Sequence, residues 1–193
     1  METKEDLRVM RTRKLLSMAL FQLLQEQPFD KINVNDICEK SMVHRATFYN
    51  HFKDKNDLLN YIMDGIQEYI FEKSIEKETY QTTKEMYLSI VSNLIDFMTS
   101  QRKNLAMIFR NSLDKMLMLV SETIKRSLYY LMSKNKYKEE YLMPSDFIIN
   151  FFTGGITTIG IDWLQSDNPY SKEELLSYFD ILLDEKLFLK QKD

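Results

Sequence analysis

The side chains able to do chemistry are few and crowded together. The single cysteine, Cys38, and the only two histidines, His44 and His51, all lie between residues 38 and 51. The histidines stand seven residues apart, about 10.5 Å along a helix rising ~1.5 Å per residue. One zinc ion, with ligand bonds of about 2.0–2.1 Å, cannot span that gap, so no metal site is expected. A lone cysteine excludes an internal disulfide and a cysteine zinc site. With no cationic neighbour evident to activate it, Cys38 reads as a packing residue. No glycine precedes Gly65, which removes an N-terminal GxGxxG or Walker-type phosphate loop. Catalysis would have to rest on carboxylates, Tyr or Lys, so the expectation is a protein that is not an enzyme and holds no cofactor. The cluster does supply groups suited to a nucleic acid. Arg45 can pair bidentately with guanine N7 and O6, and Thr47 can touch a thymine methyl or a phosphate. Tyr49 and His51 flank them where backbone phosphates would run.

Such groups need a helix to aim them, and the composition offers little else. The 193 residues include only 4 Gly and 3 Pro, with 44% hydrophobic and 28% charged. Sandwiches and barrels need a turn every ~8–12 residues, so the expectation is an all-α fold of long elements around a real core. Residues 7–26 form an amphipathic helix with Leu16, Ala19, Leu20, Leu23 and Leu24 on one stripe, and Pro28 lies beyond its end. A short second helix opens with Asn33 as N-cap and Asp36 at N3, and Ile32 with Ile37 makes a hydrophobic staple. It ends near Lys40 or Ser41. After the turn Ser41-Met42-Val43, a third helix runs from His44 to Phe52.

This short–turn–short unit has the arithmetic of a helix-turn-helix. Ile37, Val43 and Phe48 supply the buried offsets, and Cys38 is the small residue where the helices cross. With Phe48 and Phe52 inward, ~100° per residue turns Ala46, Thr47 and Asn50 outward. His44 and Arg45 then sit at the N-terminus, where a recognition helix meets base edges. Asp54 caps a fourth helix reaching about Ser74. Later helices cover about Thr82–Ser100, Lys103–Asn111, Leu113–Ser133 and Pro144–Gln165. The ninth opens at a Ser171/Glu174 capping box and runs through Leu189.

Charge agrees with a small nucleic-acid footprint. Net charge is −3, but residues 1–60 carry 10 Lys/Arg against 9 Asp/Glu, and residues 61–193 carry 16 against 20. Arg8, Arg11, Arg13 and Lys14 cluster without an acid between them. A basic N-terminal face on an acidic protein suits one that touches phosphates with a small part of its surface.

The residues Ile32-Asn33-Val34-Asn35-Asp36-Ile37, Val43, Arg45-Ala46-Thr47-Phe48-Tyr49-Asn50-His51-Phe52 and Lys55-Asn56-Asp57-Leu58-Leu59 resemble the DNA-binding signature of the TetR/AcrR family of bacterial transcription regulators. The resemblance runs over about Arg11 to Ile62. Phe151-Phe152-Thr153-Gly154-Gly155, followed by Trp163-Leu164, is similar to a subgroup of dihydroxyacetone-kinase regulators. The resemblance implies a DNA-binding head (residues 1–60), a helical effector-binding and dimerisation domain (residues 61–193) and a homodimer. Carried over by position, DNA contacts fall on Asn33, Asn35, Arg45, Ala46, Thr47, Tyr49, Asn50 and His51, with Lys55 on a phosphate. Two departures stand out. Met42 occupies a turn position often held by Gly, where a left-handed residue costs ~1–2 kcal/mol. His44 replaces the usual Ser or Thr cap, which removes a hydroxyl and offers a further DNA contact.

The C-terminal half carries seven methionines between residues 86 and 143. With its aromatics, this reads as core or as an adaptable pocket for a small apolar or aromatic effector. Ile148, Phe152, Gly155, Ile159 and Trp163 form one stripe, and Leu175, Leu176, Phe179, Leu182, Leu183 and Leu187 form another. Helical glycines cost ~1 kcal/mol each against Ala, which suits a close helix approach at Gly154 and Gly155. Dimerisation is therefore assigned to Phe152, Gly155, Ile159, Trp163, Leu176, Phe179 and Leu183. With no signal peptide and no run of ~18 apolar residues, the expected location is a reducing cytosol, away from membranes. The functional expectation is a sequence-specific transcription regulator at a pseudo-palindromic operator on double-stranded DNA, a repressor under effector control. The alternatives are a co-activator, a chromosome-organising factor of the same fold, or a small helical enzyme.

Overall fold

The helix starts at Asn33, Asp54, Thr82 and Ser171 carry side-chain caps. The computed structural model describes residues 7–75, 80–134, 140–167 and 170–184. Among them are nine α-helices: α1 Leu7–Glu26, α2 Val34–Ser41, α3 Arg45–His51, α4 Lys55–Ile75, α5 Thr83–Ser100, α6 Arg102–Asn111, α7 Leu113–Lys134, α8 Ser145–Gln165 and α9 Lys172–Leu182. Asn33 Oδ1 accepts from the Asn35 and Asp36 amides at 2.8 and 3.1 Å, while Asp36 Oδ2 accepts from the Asn33 amide at 2.8 Å. Ser171 and Glu174 close the same reciprocal box on α9. At α5, Thr82 accepts from the Glu85 amide, but Glu85 reaches back one residue further, to the Gln81 amide. The last helix stops at Leu182, where the Leu183 amide turns back to the Phe179 carbonyl at 2.9 Å. It does not run on to Leu189; Leu187 and Leu189 lie outside the described residues.

The chain packs as two units, and they follow a different line from a linear split at residue 60. The first unit joins residues 1–65 to residues 103–116; the second takes residues 66–102 and 117–193.

In the first unit α1 buries Leu16, Ala19, Leu20, Leu23 and Leu24, the stripe its periodicity predicts. Ile32, Ile37, Phe48 and Leu58 complete a core with almost no exposure. Residues far along the sequence finish this unit. Asn111 Nδ2 donates to the Leu24 and Gln25 carbonyls at 3.1 and 3.0 Å, satisfying acceptors that the end of α1 leaves open. Ser112 Oγ accepts from the buried Phe29 amide at 2.8 Å.

In the second unit α9 lies along α5, tied by Lys84–Asp180 at 2.8 Å and Lys172–Asp96 at 2.7 Å. Arg102 donates to the Trp163 and Ser166 carbonyls at the end of α8, its guanidinium 5.4 Å from the Trp163 ring centre. By length and a mean hydropathy of 1.3, α8 is apolar enough to cross a membrane, yet 44% of that window is buried inside the protein.

Candidate nucleic-acid interface

The turn between α2 and α3 is a left-handed C-cap. Met42 adopts φ 56°, ψ 32°, the only positive φ among the described non-glycine residues. Its amide reaches the Glu39 carbonyl at 3.2 Å, and the Val43 amide reaches Cys38 at 3.1 Å. That 6→1 and 5→2 pair is a Schellman motif, which glycine usually serves. Met42 therefore bears the left-handed cost, and its side chain, 94% exposed, packs on nothing in this chain.

The turn hands the backbone to His44, the N-cap of α3, whose side chain makes no cap bond. The helix is held by one side. Phe48 is fully buried and meets Phe52 with ring centres 6.0 Å apart. The opposite face presents His44, Arg45, Ala46, Tyr49 and Asn50 exposed, with Thr47 and His51 half-exposed. Tyr49, 47% exposed, does not cap the core. Arg45 Nη2 donates to the Tyr49 hydroxyl at 3.3 Å, and its guanidinium lies 5.5 Å from the Tyr49 ring centre. The charge of Arg45 also reaches Cys38, so that thiol does have a cationic neighbour. Burial outweighs it and pushes the Cys38 thiol up, which leaves Cys38 a packing residue.

Asn33 and Asn35 are exposed at the start of α2, but the Asn33 oxygen is committed to the cap. Asp54 caps α4 by accepting from the Asn56 and Asp57 amides at 2.7 and 2.9 Å, and the Asp57 amide above all holds its carboxyl below the usual value.

Lys55 is engaged differently from its expected phosphate contact. Its ammonium donates to the carbonyls of Phe29, Asp30 and Ile32 at 2.8, 3.3 and 2.7 Å, and sits 4.5 Å from the Phe29 ring centre. Lysine has three donors, and all three have acceptors here. Lys55 thus ties the start of α4 to the 3₁₀ turn Phe29–Lys31.

Within the protomer, the residues expected at a dimer seam divide by burial. Trp163 and Phe179 are buried within the protomer. With Ile159 they line an apolar cleft between α5, α8 and α9, which also draws on Val91, Met98 and Leu175. Phe152, Leu176 and Leu183 are half-buried, and Gly155 is exposed. The outward face of α8 is instead Phe147, Phe151, Gly154, Gly155 and Thr158; on α9 it is Tyr178, Ile181 and Leu182. A Cβ on Gly154 or Gly155 would meet nothing within 4 Å, whereas one on Gly160 would touch Met98 at 3.5 Å.

Comparison with known proteins matches both parts of the chain. Residues 18–62 match bacterial regulatory proteins of the tetR family, and residues 89–185 match a transcriptional regulator C-terminal region. An uncharacterised HTH-type transcriptional regulator, YxbF of Bacillus subtilis, is 44% identical over 59 residues, 30% of this chain and 16% of that protein. The HTH-type dhaKLM operon transcriptional activator DhaS of Lactococcus lactis is 34% identical over 54 residues, 28% of this chain and 29% of that protein. The matched segments thus span less than a third of either relative. A TetR transcriptional regulator from Streptococcus agalactiae superposes with a TM-score of 0.65 at 20% identity, over 92% of this chain and 96% of the other.

Proposed function

Because the chain belongs to the tetR family of bacterial regulatory proteins, we propose that it is a cytoplasmic, homodimeric DNA-binding transcription regulator that represses from a pseudo-palindromic operator. The single observation that carries this is the two-sidedness of α3. One face is anchored by the fully buried Phe48, and the other offers Arg45, Thr47, Tyr49 and Asn50 to solvent. Two such helices on one dimer would enter successive major grooves. Phosphate contacts supply affinity, and Arg45 with its neighbours supplies sequence choice. Lys55 is left out of the proposed phosphate set because its ammonium is bonded to three carbonyls.

The dimer seam assigned here is the outward face of α8 and α9. Phe147 and Phe151 are 60% and 57% exposed, and Ile181 66%. The open glycines 154 and 155 would let a second copy of α8 approach closely. The apolar cleft between α5, α8 and α9 is the candidate site for a small apolar or aromatic effector. An effector shifts DNA binding only by its differential affinity for the two states. Activation is a second reading, favoured by the activator role of the Lactococcus relative.

Genome-wide mapping of bound DNA, with transcript levels in a deletion strain, tests both. A few palindromic sites with raised transcripts on deletion support repression, and lowered transcripts support activation. Many dispersed sites with unchanged transcripts would refute promoter regulation.

A further inference from the structure

We infer that Tyr49 is a positioning residue for Arg45, so that base choice by α3 rests on the pair and not on arginine alone. The inference rests on the reading of α3 as the DNA-recognition helix. Arg45 and Tyr49 are four residues apart on α3, which stacks them on one helix face. Both are exposed, so nothing in the core dictates their contact. They meet nonetheless in two ways, by the bond from Nη2 to the hydroxyl and by the guanidinium over the ring. Tyr49 is itself braced, edge-on against the buried Phe48 ring with centres 5.4 Å apart. A rigid ring on a core residue thus holds a long, flexible side chain.

The hold leaves the arginine able to read. The ion pairs seen among the described residues, such as Lys40 with Glu26, Lys84 with Asp180 and Lys172 with Asp96, do not involve Arg45, so no carboxylate neutralises it there. One hydrogen bond uses one of five guanidinium donors, and the remaining fork can pair with guanine O6 and N7. Ordering an arginine on binding carries an entropic penalty. Holding it beforehand reduces that penalty and removes other approaches that would tolerate a different base.

The rival role for Tyr49 is a phosphate contact, and the two predict different readouts. Enrichment of random DNA by the full-length protein identifies the preferred site and the base pair read by Arg45. Arg45→Ala should lower discrimination there by about 5- to 150-fold. Tyr49→Phe keeps the ring and removes the hydroxyl; it should lower discrimination at the same base pair by about 3- to 10-fold. Tyr49→Leu removes the ring as well and should lower it further. In the Arg45→Ala background neither change should lower it again. Overturning results are uniform weakening of all sites by Tyr49→Phe with discrimination intact, or effects that add to those of Arg45→Ala. Unchanged discrimination in Arg45→Ala would sink the base-reading role itself, and failure to enrich any sequence would sink the DNA reading with it. Thermal unfolding of each variant checks that the fold is kept.

Discussion

Helices α3 and α8 differ in how far the residues alone reveal which face is buried and which is open. The apolar anchors of α3 are Phe48 and Phe52, one turn apart, with polar or small residues elsewhere. One phase fits, and the outward set follows. Helix α8 is apolar almost all round. Its inward residues include Ile148, Ile149, Ile161, Trp163 and Leu164, while Phe147 and Phe151 stand outside. Such a helix has two apolar stripes, and periodicity cannot say which one meets the protein's own core. The buried face runs through Ile149, Thr153, Thr157, Ile161 and Leu164, with Ile148 and Trp163 at its margin. The stripe of Ile148, Phe152, Gly155, Ile159 and Trp163 lies along its edge, where Ile159 is half-buried and Gly155 exposed.

The contrast can be broken by substitution. The largest effects belong to the two anchors. Phe48→Ala and Trp163→Ala should each destabilise by about 3–5 kcal/mol in urea unfolding, and light scattering below the transition should find the oligomeric state of Trp163→Ala unchanged. Monomers from Trp163→Ala would return this residue to the seam. Phe151→Glu should do the reverse, giving monomers while each protomer stays folded by circular dichroism. A stable Phe151→Glu dimer would move the seam off α8. Asp54→Ala should cost about 1 kcal/mol at about pH 7, through the lost cap. The Asp54 carboxyl is held below its ordinary value of about 3.9. Its stabilisation is therefore complete above that pH and fades as pH falls through the folded value. The variant's deficit should shrink at about pH 2.5, and an undiminished deficit would show that the cap does not depend on charge. The smallest effect is a gain. Met42→Gly should stabilise by up to about 1 kcal/mol, the left-handed strain relieved less the added freedom of the unfolded chain. A loss would mean that the exposed methionine has a stabilising contact in the dimer.

Local chemistry explains what was legible. Caps at Asn33, Asp54, Thr82 and Ser171 are written within four residues, and each is found. The anchored face of α3 rests on one aromatic pair. Contacts that depend on distant partners were not legible. Lys55 looked like a phosphate ligand because nothing beside it reveals the three carbonyls of residues 29–32. Arg45 is adjacent to Cys38 only once the Schellman turn has folded α3 back. Which apolar residues of α8 the protomer buries was not legible either, because choosing between two apolar stripes requires knowing where α5 lies.

The clasp of Asn111 and Ser112 on the end of α1 has a consequence for biosynthesis. The N-terminal unit is assembled last by residues made long after its first 65. At ~5–20 residues per second, roughly 3–10 s separate synthesis of Gly65 from that of Met116. During that interval the Leu24 and Gln25 carbonyls and the Phe29 amide lack their final partners on the nascent chain. A truncated head ending at residue 65 would be left permanently in that condition.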